Sequence, residues 1–194
     1  MQMLDIARQF VSKYVALSEE EFSILAQMLE VREFGKRELL TREGEVDRYM
    51  NFVASGLARK YFLKNKEEMV THIAKENEFI CCFESFTTGL PSAYVVETIE
   101  PSIFISISKQ NLEDLYLAVP KIERLGRMVI THQFISNEHW EYDRVRYGSH
   151  ERFIRFIRDN SDLLQRVPQK FLASYLNIKP ETFSRLKHLL KSNK

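Results

Sequence analysis

Five polar side chains close to the end of the chain are the ones whose types and spacing could do chemistry. They are Glu181, Thr182, Ser184, Arg185 and His188, a carboxylate, two hydroxyls, a guanidinium and an imidazole. The apolar stripe Phe183, Leu186 and Leu190 has helical spacing and leaves all five on the opposite face. Such a face can read base edges in a DNA major groove. An arginine bonds guanine through two donors, a glutamate accepts from cytosine, and hydroxyls or an imidazole meet bases or phosphates. Arg185 is the first candidate for a base contact. Lys170, Lys179 and Lys187 would serve the phosphate backbone.

Other chemistries find less support. The histidines are His72, His132, His139, His150 and His188, and none pairs at metal-ligand spacing in the strand-rich part of the chain. No nucleophile elbow, glycine-rich phosphate loop or paired-carboxylate motif stands out, so neither catalysis nor a metal is expected. Cys81 and Cys82 are adjacent, where a disulfide would strain the intervening peptide. Within Phe79-Ile80-Cys81-Cys82-Phe83 they read as small buried hydrophobes in a strand.

The element that would position the reading face is a helix-turn-helix between Val167 and Leu190. Leu172 and Leu176 lie four apart on the inner face of a first helix. Asn177 suits a left-handed turn, and Pro180 suits the first position of the second helix. Two short helices and a tight turn also occur in proteins that never touch DNA. Charge favours the DNA reading. Residues 151–194 carry ten basic and four acidic side chains, net +6, while the whole chain of 194 residues is only +1. Positive charge gathered at one end suits local contact with phosphates.

The rest of the chain reads as a sensor. Residues before about Glu30 have helical spacing, with Ser18 as N-cap ahead of Glu19, Glu20 and Glu21, and with Leu17 and Phe22 as a hydrophobic staple. From about Val31 the period turns to two. Strands are predicted at Tyr49–Ala54, Leu57–Leu63, Met69–Ala74, Tyr94–Ile99 and Ile103–Ile107, the last alternating cleanly. Many short strands at this spacing indicate an antiparallel sandwich or roll. Pro120 opens a long helix reaching about Tyr147, and its middle is apolar on more than one face. One side would cover the roll and the other a second copy, through Leu125, Met128, Val129, His132 and Ile135. The predicted division is 1–119 roll, 120–148 long helix and 149–194 helix-turn-helix domain, an α+β chain. Hydrophobic content of 44% supplies a core, and no segment looks like an export signal or a membrane span, so the cytoplasm is expected.

Specific stretches resemble the Crp/Fnr family of transcription regulators. They are Phe34-Gly35-Lys36-Arg37-Glu38-Leu39-Leu40 with Glu43-Gly44-Glu45, Tyr49 through Tyr61 around Ser55-Gly56, Glu151-Arg152-Phe153, Leu172 to Leu176, and Glu181 to Arg185. The resemblance implies a cyclic-nucleotide-binding-like jelly roll, a long dimerisation helix and a C-terminal helix-turn-helix. It implies double-stranded DNA, a second copy of the chain and RNA polymerase as partners, and no membrane. Three departures matter. Where such proteins hold a cyclic nucleotide's phosphate with glycine, glutamate and arginine, this chain has Cys81 and Cys82, then Leu90, Pro91 or Ser92. Ordinary cyclic-AMP binding is therefore not expected, and no cofactor is assigned. An effector of unknown identity would lie near Cys82, Glu84, Ser92 and Tyr94. Lys179 replaces the usual capping hydroxyl before the recognition helix, a loss of about 1 kcal/mol. A β-hairpin wing is also expected to be missing. The competing reading is a sensor or interaction module that has kept this fold without specific DNA binding.

Overall fold

The computed structural model describes residues 2–192, and of residues 2 and 190–192 the backbone alone. Leu190 and Lys191, used above for stripe and charge, lie outside the described side chains, and Lys194 lies outside the described residues. The chain opens with helices α1 (Gln2–Ser12) and α2 (Glu19–Met28). Ser18 starts α2 with a capping box. Its Oγ accepts from the Glu21 N–H at 3.2 Å, and its own N–H donates to the Glu21 carboxylate at 2.7 Å. Two donors that a helix start leaves unmet are thereby satisfied.

The roll follows as β1 (Glu30–Phe34), β2 (Leu39–Thr41), β3 (Tyr49–Ser55), β4 (Ala58–Lys64), β5 (Glu67–Ala74), β6 (Phe79–Ile80), the short helix α3 (Phe83–Thr88), β7 (Val95–Thr98) and β8 (Ser102–Ser108). Two antiparallel sheets result, in the orders β1-β8-β3-β6 and β2-β7-β4-β5. Gly56 turns β3 into β4 with φ of 98°, and a Cβ there would stand 2.7 Å from the Pro101 carbonyl oxygen. Only glycine fits that corner. Val53, Ala58, Val96 and Phe104 fill the space between the sheets.

The alternation read in β8 holds, but both of its faces are buried. Phe104 enters the inter-sheet core, while Ile105 and Ile107 lie under the flanking helices, which include α4 (Lys109–Ala118). The two cysteines depart from expectation. β6 ends at Ile80, so Cys81 and Cys82 are not strand residues; Cys82 is the residue that caps α3.

Helix α5 (Pro120–Arg146) begins at Pro120 as the sequence predicts. Among its described side chains only Ile122 and Leu125 are buried. Ile130, Phe134, Ile135, Tyr142 and Val145 stand exposed; of the residues expected to meet a second copy, Ile135 alone is among these five. The rest is α6 (Ser149–Asp159), α7 (Leu163–Arg166), α8 (Gln169–Tyr175) and α9 (Pro180–Ser192), packed around Phe153, Leu172, Leu176 and Phe183. That helical core is continuous with Leu57, Tyr61, Val70 and Ile73, so the C-terminal helices sit on the outer face of the β4–β5 sheet. No helix among the described residues is long and apolar enough to cross a membrane.

Candidate nucleic-acid interface and effector cavity

Helices α8 and α9 form the helix-turn-helix. Asn177 adopts the left-handed conformation, φ of 52°, and Phe183 and Leu186 are buried. Arg152 fastens the turn from α6. Its guanidinium donates to the Leu176 carbonyl at 3.2 Å, the Asn177 carbonyl at 3.1 Å and the Tyr147 carbonyl at 2.6 Å. This clamp was missed in the sequence, because its acceptors are backbone groups that no motif displays. Lys179, Glu181, Arg185 and His188 are exposed, and Thr182, Ser184 and Lys187 are half-buried. These seven share one short segment. Lys170 does not join them. It stands at the start of α8, 3.9 Å from Glu68, on the seam with the roll.

That seam is polar and specific. β5 is an edge strand, and its open edge is met by α8. The Val70 N–H donates to Ser174 Oγ at 2.9 Å, and the same hydroxyl donates to the Glu68 carbonyl at 2.9 Å. Arg59, 1% exposed, donates through Nε to Glu97 at 2.8 Å and through Nη1 to Glu68 at 2.9 Å, and its Cζ lies 3.6 Å from the Phe171 ring centroid. Arg166 bonds Glu76 and Glu100, each at 2.6 Å.

On the inner side of the same sheet, between the roll and α5, lies a cavity of about 720 Å³. All four residues expected near an effector, Cys82, Glu84, Ser92 and Tyr94, line it. So do Lys60, Phe62, His72 and Trp140, which sequence reading did not single out; strand alternation opposite Arg59 was the available signal for Lys60. Ser174, Tyr175 and Asn177 of the helix-turn-helix close the far side. Tyr175 stacks on Trp140 with ring centroids 4.5 Å apart.

The beginning of α3, where the sequence lacks an anion-holding cassette, is closed by the chain's own acid. Asp47 accepts the Cys82 N–H at 2.6 Å, and Glu84 stands in the helix's first turn. Burial pushes the Asp47 carboxyl up, against the pull of that N–H. Burial also pushes the Cys81 thiol up to about 12 and the Cys82 thiol up to about 11, so neither is a ready nucleophile. Among the described residues no group of three or more His, Cys, Asp or Glu could hold a metal ion.

The family model for the cyclic nucleotide-binding domain matches residues 31–118. No curated protein sequence matches the chain. Among solved structures, FixK2 from Bradyrhizobium japonicum superposes with a TM-score of 0.74 at 17% identity, covering 85% of each chain. CLP, a c-di-GMP responsive global regulator of Xanthomonas campestris, gives 0.71 at 16% identity over 91% of this chain and 93% of its own. A regulator assigned to the crp/fnr family from Eubacterium rectale gives 0.67 at 10% identity over 91% and 85%. The chain shares the fold of these proteins, and its residues 31–118 match the model of the cyclic nucleotide-binding domain.

Within this fold the residues expected to pair two copies divide along α5. Leu125 is buried in its own chain with Leu115 and Ile122, and Val129 packs on the same cluster. Met128 is half-buried, and His132 and Ile135 are exposed. Phe134, 62% exposed, belongs to the open face and was not among the expected residues.

Proposed function

We propose that the chain is a sequence-specific, DNA-binding transcription regulator that works as a homodimer. The observation that carries this reading is α9, which buries Phe183 and Leu186 and leaves Glu181, Arg185 and His188 in solvent. A helix held by its apolar side, with a guanidinium and a carboxylate free, is built to enter a major groove. Arg185 is the base reader. Glu181, Thr182, Ser184 and His188 contact base edges or phosphates, and Lys179 and Lys187 serve the backbone. Lys170 reaches the backbone only by leaving Glu68. The open face of α5, at Ile130, Phe134 and Ile135, is the seam between two copies, and it sets two reading helices one helical turn apart, ~34 Å. The cavity bordered by Cys82, Glu84, Ser92 and Tyr94 is the effector site. It acts without cyclic AMP, because Asp47 and Glu84 occupy the place where a phosphate would need donors. Such a regulator would work in the cytoplasm, with RNA polymerase as the further partner.

The test is selection of bound duplexes from a random pool at near-physiological salt, with Arg185→Ala in parallel. An inverted repeat is expected for the native chain. Arg185→Ala should bind it ~1–3 kcal/mol more weakly and tolerate any base at one position of each half-site. A uniform loss over all sequences would make Arg185 a phosphate contact. Recovery of nothing above background would favour an interaction module.

A further inference from the structure

We propose that the cavity binds an amphipathic organic monoanion, a carboxylate on a flat apolar body, with Lys60 as its counter-ion. This deepens, and rests on, the reading of that cavity as the effector site. Lys60 is half-buried and faces inward from β4. Its ammonium reaches the Cys81 carbonyl at 3.4 Å and lies 5.4 Å from the Tyr94 ring centroid. Among the described residues no carboxylate pairs with it. A cation withdrawn from water is stabilised when an anion meets it, and the cavity leaves room for one. Its other charged lining groups, Glu84 and Arg144, are exposed at the mouth and opposite in sign. One positive charge therefore faces the interior, which selects a single negative charge on the ligand.

The walls specify the body. Phe62, Tyr94 and Trp140 present flat apolar surfaces, and about 720 Å³ is the size of a small-molecule site. His72 is held neutral. Burial and the nearby Lys60 charge lower its pKa to about 4, so it adds no second cation at neutral pH. The start of α3, closed by Asp47, offers no second anion site.

Trp140 is the only tryptophan in the chain and lines the cavity, so its emission reports occupancy. The full chain is titrated with phenylacetate and hydrocinnamate, each against its neutral amide, and with cyclic AMP. A saturable change is expected for the acids, with affinity at least ~10-fold above the amides, the scale of one charge-assisted hydrogen bond. Lys60→Met should erase that preference and leave the amides unaffected, and Lys60→Arg should keep it. Equal binding of acid and amide by the native chain, or an unchanged preference in Lys60→Met, would overturn the assignment. So would silence towards both acids up to about 10 mM, the scale of very weak binding, or cyclic AMP binding more tightly than either acid. If Lys60→Met fails to fold, Lys60→Gln carries the same comparison. Binding of a DNA duplex is scored separately by anisotropy. Acid binding without DNA binding would retain this assignment and remove the DNA reading.

Discussion

Arg59 and Lys60 are neighbouring cations on one strand and meet opposite environments. Arg59 points out of the roll into the helix-turn-helix, where Glu97, Glu68 and the Phe171 ring saturate it. Lys60 points into the cavity and has one carbonyl at 3.4 Å. The alternation of a β-strand places consecutive residues on opposite faces, so β4 and β5 separate two jobs by the thickness of a sheet. The outer face is a seam whose cation is paired with two carboxylates, and the inner face keeps a cation with no carboxylate partner among the described residues. A group with every valence met stabilises the fold, whereas a group left open beside a void is available for binding.

The sharpest way to break this comparison is Arg59→Met. It strands the Glu97 carboxylate, whose residue is 8% exposed, without its cation. A loss of about 3–5 kcal/mol in denaturant unfolding is expected. A change under about 1 kcal/mol would mean that the seam is looser than its hydrogen bonds imply.

Ser174→Ala removes the hydroxyl that serves both the Val70 N–H and the Glu68 carbonyl. About 1–2 kcal/mol should be lost, with faster amide exchange at Val70, because a buried donor is left unmet. Unchanged exchange at Val70 would place the seam's strength elsewhere.

The inner face should show itself through pH. His72 has a folded pKa of about 4, below its ordinary 6.5, because burial and the Lys60 charge disfavour its protonated form. Between those values the unfolded chain holds the extra proton. The contribution is therefore fully present above pH 6.5 and is lost as pH falls towards 4, at up to about 1.4 kcal/mol per pH unit. His72→Gln should flatten that slope relative to the native chain. Parallel pH profiles for the two proteins would contradict a buried neutral imidazole.

Lys60→Met should have the smallest effect on stability, within about 0.5 kcal/mol, because its ammonium makes no ion pair to lose. A destabilisation comparable to that of Arg59→Met would erase the distinction between the two faces.

What the sequence displayed and what it hid follow the same division. The N-cap at Ser18, the left-handed Asn177 and the start of α5 at Pro120 are local matters of residue type, and all were legible. So were most strands, which alternation and turn residues delimit. Helix α3 and the exit of Cys81 and Cys82 from a strand were not. They depend on Asp47, 35 residues away from the amide it captures. Gly89, at φ of 77°, was the local sign of that helix's end. The docking of α8 along β5 was illegible for the same reason, since Ser174 and Val70 are 104 residues apart. Leu125 was read as part of a contact between copies because its apolar character is plain, while its burial under α4 is a tertiary fact.

The most direct measurement of paired reading is binding to an inverted repeat whose half-sites are moved apart. Two α9 helices fixed by paired α5 helices should bind tightly when half-site centres lie about 10 base pairs apart, and should lose most of that affinity at about 15, where the second site faces the opposite side of the duplex. Equal affinity at both spacings, or a lone half-site bound as tightly as the repeat, would contradict a dimeric reader.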